Sequence, residues 1–380
     1  MTLRAIVIGA GWAGEGHIIG LRDAGVEVVA LCGRTPEPAY QRAAQLGIEQ
    51  VRFDWRSAIE EFRPDLVTIA TPAIERRAMV EFAAQQGCHL VCEKPLATNV
   101  SDARAMVAAV EQAGVKHGYA ATHVYGPTIL HTQTLLAQGL IGQVYEIEST
   151  MHFNFSAILP YSWFNRLDQG GGLLNSLFTH KLAQVLRATG GVVQAAMGET
   201  RQLHSRAPVG PPIHDIRELF SLLETGTWDP TKATEWHPVD GDSAYTVTLQ
   251  LRMADGALAN ALFRGSFLGS TQPPETLTFH GSAGSLVMSG GLGTDERIQA
   301  FLNARQSWAE VPIPQALLAA LPPEQDAVQR VWNHFFREFV AHVRGEADAG
   351  YPTFHDGQIA VEVMDIARSR RSWTAISTKN

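Results

Sequence analysis

The chain has 380 residues, 45% hydrophobic and 18% charged, with a formal net charge of −8. That length is more than one core usually fills, so two domains are expected. The acidic balance, with no Lys/Arg run, speaks against nucleic-acid binding, and no stretch reaches the roughly 20 apolar residues that cross a bilayer.

Strand-length apolar runs alternate with helix-period segments from the start. Strands are expected at Arg4–Ile8, Glu27–Leu31, Gln50–Phe53, Leu66–Ala70, His89–Cys92 and Lys116–Ala120. Between them Ala13–Ala24, Glu37–Leu46, Ser57–Phe62, Glu75–Gln86 and Ser101–Ala113 read as helices, four of them closed by Gly25, Gly47, Gly87 and Gly114. Six strands with helical crossovers give a doubly wound parallel sheet of the α/β class, a Rossmann domain over residues 1–121. Thr2-Leu3-Arg4 runs straight into the first strand, so no secretory leader is read and a cytoplasmic location is expected. Cys32, Cys88 and Cys92 are too few for a disulfide framework, and Cys88 and Cys92 flank a buried strand, so inert thiols and no metal are expected.

Beyond Ala121 the pattern changes. A helix follows Pro127, then a long strand, Val144–His152, an irregular aromatic stretch over Pro160–Gly172, and a helix over Gly172–Arg187. Tyr245–Arg252, Ala257–Phe263 and Glu275–His280 alternate apolar and polar as antiparallel strands do, the first two joined by a turn at Asp255-Gly256. Residues 122–380 are therefore expected to form an α+β domain with a large, mostly antiparallel sheet. Ala207–Pro238, rich in proline, reads as a mobile surface excursion. Asp326–Arg344 and His355–Arg370 read as late helices, the last one packing back on the first domain.

Gly9-Ala10-Gly11-Trp12-Ala13-Gly14 follows the first strand and opens the first helix. Gly9 permits the tight turn, Gly11 lets the backbone approach a pyrophosphate, and Gly14 permits close helix–sheet packing. Backbone groups at Gly11, Trp12 and Ala13 then meet the phosphates at the positive end of the helix. A nicotinamide dinucleotide is the expected cofactor. After the second strand, where an NAD site usually places an acid for the ribose hydroxyls, the chain has Cys32-Gly33-Arg34-Thr35. Arg34 suits a 2′-phosphate and Thr35 adds a hydroxyl donor, so NADP is expected, with NAD also accommodated.

Cys92-Glu93-Lys94-Pro95-Leu96-Ala97 after the fifth strand and Thr71-Pro72 after the fourth belong to a larger set of segments. The set continues with Gln138-Gly139-Leu140-Ile141-Gly142-Gln143-Val144, Gly170-Gly171-Gly172 ahead of His180, and Asp356-Gly357. Together they resemble the glucose–fructose oxidoreductase, inositol dehydrogenase and rhizopine-catabolism family (Gfo/Idh/MocA) over nearly the whole chain. The resemblance implies that Lys94 lies beside the nicotinamide and bonds the reacting oxygen, that the Lys94–Pro95 bond is cis, and that His180 faces the substrate. Lys94 and His180 are thus the expected catalytic pair, an amine and an imaginable neutral imidazole base at the carboxyl edge of the sheet. Thr71, Pro72, Glu93 and Thr122, with Lys94, complete the expected cofactor contacts.

The chain also departs from the family pattern. Where relatives carry an aspartate one turn before the histidine, Ser176 stands, and a second frequent aspartate is Ala183. Ala73 and Arg76 replace the asparagine and histidine of the usual Thr-Pro-Asn…His pattern. Proton transfer would then rest on Lys94 and His180, or recruit Lys181 or Tyr161. The substrate wall is expected from Phe153, Phe155, Tyr161, Trp163, Phe164 and Asn165, with His123 and Ser176 beside it, because aromatic faces suit the C–H faces of a sugar ring. The reading is hydride transfer between NADP and a hydroxyl-bearing carbon of a sugar, cyclitol or related polyol. The alternatives are a cofactor-retaining glycosidase working by transient oxidation and a non-catalytic dinucleotide-sensing regulator. A homodimer or homotetramer, formed through the exposed face of the second sheet, is also expected.

Overall fold

The computed structural model describes residues 2–369 except 154–158, 212, 214–216, 219–220, 223–224, 268–274 and 325. Its N-terminal part is a sheet of six parallel strands: β1 (Arg4–Ile8), β2 (Glu27–Cys32), β3 (Val51–Arg52), β4 (Leu66–Ile69), β5 (His89–Cys92) and β6 (His117–Tyr119). The order is β3-β2-β1-β4-β5-β6. β1 and β4 are apolar without alternation because helices cover both faces, and they are buried almost throughout. The crossover helices are α1 (Trp12–Asp23), α2 (Pro36–Leu46), α3 (Trp55–Phe62), α4 (Arg76–Gln85) and α5 (Val100–Ala113). Gly25, Gly47, Gly87 and Gly114 all take positive φ behind their helices, a conformation that side chains resist. The strand order reverses between β1 and β4, which opens a crevice at their carboxyl ends.

The second sheet has eight strands in the order β16-β15-β14-β13-β7-β12-β11-β8. These are β7 (Val144–His152), β8 (Val192–Arg201), β11 (Ala244–Arg252), β12 (Leu258–Ser266), β13 (Thr276–Gly281), β14 (Gly284–Gly291), β15 (Thr294–Leu302) and β16 (Ser307–Glu310). Every ladder is antiparallel except β7 with β12. One face is a buried row that includes Ile147, Leu249, Phe263, Phe279 and Leu286. It packs in one core cluster with Phe178, Leu182 and Val185 of the helical layer that includes α6 (Pro127–Ala137) and α7 (Thr179–Thr189). β8, β14, β15 and β16 were not foreseen. β8 is an edge strand whose exposure follows no strict alternation, and β14 begins and ends on glycine, a residue that weakens strand propensity.

Two further differences bear on function. The expected helix over Gly172–Arg187 begins as a π-helical turn, Leu174–Phe178, before it becomes α7. The proline-rich excursion contains a ribbon, β9 (Arg206–Pro208) against β10 (Trp236–Pro238), and Tyr161 N–H donates to the Pro208 carbonyl at 2.8 Å. The late helices, Ala327–Val343 and Phe354–Ser369, lie against the first sheet's helices α1 and α5; Arg370 lies outside the described residues. Gly16 and Gly20 of α1 are small because a Cβ there would come within 2.2 Å of the Trp332 ring and 2.5 Å of Phe336.

Candidate active site

The glycine turn after β1 has three different demands. Gly9 takes φ +121°, and a Cβ on it would stand 2.5 Å from the Ala70 carbonyl oxygen. A Cβ on Gly14 would meet the Gly9 oxygen at 1.9 Å, so only glycine lets α1 close on the turn. A Cβ on Gly11 would meet nothing within 4 Å, and no side chain caps the start of α1. Backbone donors at a helix N-terminus with clear approach fit the pyrophosphate of a dinucleotide. Trp12 opens the helix, with its ring edge-on to Trp332 at 5.2 Å.

At the adenosine end, Arg34 has an 80% exposed side chain, and Thr35, also exposed, precedes α2 without capping it. The sequence leaves this corner without an acid, but the fold supplies one. Glu75, from the 3-10 turn Ala73–Glu75, stands 3.7 Å from Arg34. Thr71 and Pro72 lie at the mouth of the same crevice after β4.

The segment after β5 carries the amine. The Lys94–Pro95 bond is cis, and Lys94 Nζ donates to the Ser176 carbonyl at 3.0 Å, joining the two domains. Burial lowers the Lys94 pKa, Glu93 opposes the shift, and the Arg76 charge adds to it. The Glu93 carboxylate turns to the α1 side: Oε1 is 3.3 Å from His17 Nε2, and Oε2 accepts the Lys94 backbone N–H at 2.9 Å. Burial works against its charge, but the His17 bond and the neighbouring charges of His17, Lys94 and Arg76 win, leaving its pKa lowered. Thr122 is buried at the start of the 3-10 turn Thr122–Tyr125.

His180 lies on α7 with its ring stacked on His123, centroids 3.8 Å apart and planes 14° from parallel. Both imidazoles resist protonation. Burial is the largest cause for each; the His123 pKa falls to about 3, with Lys181 and Lys94 adding to the effect. His180 drops well below the usual value under the charges of His123, Lys94 and Lys181. Its Nδ1 is buried with no hydrogen-bond partner among the described residues. Lys181, also buried, is held by Glu275 at 3.0 Å. Ser176 contributes its carbonyl to Lys94, and the neighbouring Asn175 donates to the Gly171 carbonyl at 2.7 Å.

The structure thus brings Lys94, His123, His180 and Ser176 together where the domains meet. The residues expected to form the aromatic wall pack mainly among themselves and their neighbours. Tyr161 packs on His237 at 4.8 Å, and Phe153 and Phe164 both pack on Phe267. Trp163 is half exposed, and Phe155 lies outside the described residues. The Asn165 side chain accepts the Ser162 N–H at 2.8 Å in a capping box, so that amide oxygen is engaged locally. The stretch does reach the crevice through Gly170, where a Cβ would stand 3.0 Å from Ala73 and 3.8 Å from Pro95.

Sequence reasoning missed several groups. Asp242 accepts the Leu174 N–H at 2.7 Å and pairs with Arg368 of the last helix at 2.8 Å, anchoring the π turn. Arg217 reaches from the excursion to Glu15 of α1 at 2.8 Å, with its guanidinium 5.9 Å from the Trp12 ring. Nothing in the one-dimensional pattern marks these long-range partners. Arg76 was visible only as a departure; in the fold it is buried and bonded to three carbonyls. The cysteines are buried thiols whose pKa values burial raises to about 12 for Cys32 and about 11 for Cys88 and Cys92. Among the described residues no group of three or more His, Cys, Asp or Glu could hold a metal.

Residues 3–121 match the model described as oxidoreductase family, NAD-binding Rossmann fold, and residues 129–287 match the GFO/IDH/MocA C-terminal domain. A D-apiose dehydrogenase of Paraburkholderia graminis is 37% identical over 140 residues, 37% of either chain. A levoglucosan dehydrogenase of Pseudarthrobacter phenanthrenivorans is 28% identical over 265 residues, 67% of this chain and 63% of that one. These matches therefore span less than two thirds of either relative. Among solved structures, levoglucosan dehydrogenase in complex with NADH and levoglucosan superposes with a TM-score of 0.77 at 22% identity, covering 97% of this chain and 96% of the other. An oxidoreductase domain protein from Kribbella flavida gives 0.80 at 23% identity, covering 97% and 98%. These likenesses show the fold.

The stacked imidazoles make stability depend on pH. In the unfolded chain a histidine takes its proton near pH 6.5, whereas folded His123 does so only near 3. The unfolded state therefore binds more protons in that window, and stability falls as the pH drops from about 6.5 towards 3. Denaturant titrations of His123→Gln are expected to show a gentler fall between pH 6 and 4, by up to about 1.4 kcal/mol per pH unit. An unchanged slope would mean that His123 is protonated in the fold.

Proposed function

Because the chain belongs to the Gfo/Idh/MocA oxidoreductase family, we propose that it transfers a hydride between a nicotinamide dinucleotide and a hydroxyl-bearing carbon of a sugar, cyclitol or related polyol. The observation that carries this reading is the Lys94 amine, held against the Ser176 carbonyl beside the His123–His180 stack, at the carboxyl edge of a sheet whose glycine turn fits a pyrophosphate. The sugar dehydrogenases among the relatives support the substrate class. The bound dinucleotide would supply the hydride chemistry, accepting hydride in one direction and returning it in the other.

The chain's own work concerns the proton. As the carbinol C–H bond breaks and its electron pair leaves as hydride, the O–H bond breaks too, and its proton passes to the Lys94 amine. The carbon and oxygen are left as a carbonyl. In reduction the Lys94 ammonium returns the proton and offsets the developing oxyanion charge. His180, held neutral, orients the hydroxyl, with His123 stacked behind it. The domain division proposed is 1–121 for the dinucleotide and 122–380 for substrate and assembly, in a cytoplasmic protein. A cofactor-retaining glycosidase would use the same groups, but it would show no net change at the nicotinamide absorbance.

NADP is the proposed cofactor, with NAD also accommodated. Arg34 and Thr35 favour the 2′-phosphate, and Glu75 beside Arg34 works against it. Arg34→Ala is expected to lower NADP affinity by about 1.5–3 kcal/mol while barely changing NAD. Glu75→Gln is expected to shift preference further towards NADP. Dissociation constants measured by titration decide it: an unchanged NADP/NAD ratio in Arg34→Ala removes the assignment.

Assembly is proposed to use the outer face of the eight-stranded sheet, where Met197, Leu258 and Trp308 stand exposed, giving a homodimer or homotetramer. Light scattering that finds a monomer at all concentrations contradicts this.

The reaction itself is tested by screening sugars and polyols with both dinucleotides. On the substrate found, Lys94→Ala is expected to cut turnover about 10²–10⁴-fold with a much smaller change in cofactor affinity. His180→Ala is expected to lose less, and the double variant less than the sum, because both act on one proton. Near-normal turnover in Lys94→Ala would remove the catalytic reading in favour of a dinucleotide-sensing regulator, a reading that the missing aspartates at Ser176 and Ala183 would then support.

A further inference from the structure

Arg76 opens α4 and is 4% exposed. Its Nε donates to the Thr71 carbonyl at 2.9 Å and its Nη2 to the same oxygen at 2.5 Å. Its Nη1 donates to the carbonyls of Glu93 and Pro95. Two of the three acceptors therefore flank Lys94 in the chain, and the third is at the tail of β4. A planar guanidinium can span three such oxygens at once and cannot lose its proton in a protein.

That placement sets a permanent cation behind an amine. Like charges in a half-buried region disfavour one another, so a tether alone would be better served by a neutral donor. The other groups around Lys94 do not neutralise the pair fully. On its own segment Glu93 pairs with His17 of α1; His123 faces it from the 3-10 turn after β6, and α7 brings His180 and Lys181, the latter tied to Glu275. The helix position that resembles the family's aspartate is Ser176, which offers Lys94 only a carbonyl.

We propose that Arg76 is the positioning residue for Lys94: its three carbonyl bonds fix where the amine stands, and its permanent charge favours the uncharged, proton-accepting amine in a site whose helix carries no carboxylate. Burial acts on Lys94 in the same direction and Glu93 against it, with Arg76 tipping the balance further towards the free amine. The proposal rests on the reading of Lys94 as the group that handles the substrate proton.

The chain has five lysines, Lys94, Lys116, Lys181, Lys232 and Lys379, so reductive ¹³C-methylation of the full-length protein gives few signals, and Lys94→Ala identifies the one of interest. Its titration by NMR needs neither substrate nor cofactor. In Arg76→Gln the Lys94 midpoint is expected to rise by on the order of one pH unit, and the rising limb of kcat/KM for oxidation with it. In Arg76→Lys, which keeps the charge, the midpoint is expected to stay while kcat falls about tenfold or more, because an ammonium cannot hold three carbonyls in a planar fork. Arg76→His, neutral at alkaline pH, serves where the glutamine variant does not fold, with the same upward shift expected. An unmoved Lys94 midpoint in the neutral variants, or an equal shift in Arg76→Lys, overturns the proposal. Because the titration involves no turnover, it separates this failure from failure of the proposed reaction, which Lys94→Ala kinetics read alone.

Discussion

Positive charge brought out of water beside positive charge is the constraint on which the site depends. Burial is the main reason that His123 and His180 resist protonation, and the charges of Lys94 and Lys181 add to it. In such surroundings each further proton is disfavoured more than in water. The protein answers in two ways. Lys181 is matched with a carboxylate, Glu275, while the imidazoles are left to stay neutral and the Lys94 amine is pushed in that direction. The result is a cluster in which the imidazoles stay neutral and the Lys94 ammonium holds its proton less tightly than in water, without the aspartates that Ser176 and Ala183 replace.

Keeping those groups in register requires two domains to meet within one hydrogen bond, that from Lys94 to Ser176. The meeting surface is made close by absent side chains. Gly170 lies where a Cβ would stand 3.0 Å from Ala73 of the first domain, while within the second domain Gly172, at φ +92°, lies where one would stand 3.0 Å from Asp242. Asp242 in turn ties the π turn to the last helix through Arg368, which also reaches Asn175 at 3.3 Å. The carbonyl that meets Lys94 is thus carried on a wide helical turn anchored from three parts of the chain. A π turn at this place accords with the tendency of such turns to mark functional sites.

Most of the first sheet was legible in the sequence because its signals are local. Strand and helix lengths, the closing glycines and the turn at Gly9–Gly14 all depend on neighbours in the chain, and the structure reproduces them within a residue or two. The second sheet was legible where strands alternate, at β7, β11, β12 and β13. It was not legible at β8 or β14, whose edge position or glycine content hides the pattern. Lys94 and His180 were singled out through the family resemblance, and the structure brings them to one seam. Glu75 beside Arg34, Glu275 on Lys181, Asp242 with Arg368 and the three-carbonyl grip of Arg76 were not, because each pairs residues that only the tertiary fold brings together. The amide oxygen of Asn165, expected in the substrate wall, also serves a local cap on Ser162, a role that the sequence pattern did not show.

The glycine turn at Gly9–Gly14 and the proposed determinants of dinucleotide preference, Arg34 and Glu75, all lie on the first sheet's side. The amine lies on that sheet as well, but the imidazole of His180, the Ser176 carbonyl and the aromatic wall come from the second domain. In the proposed reaction, the substrate side and the amine are thus contributed by different domains. The excursion that carries Arg217 crosses the same seam to Glu15 and Trp12, so the second domain also touches the helix that receives the phosphates. This contact joins the two domains at the start of α1.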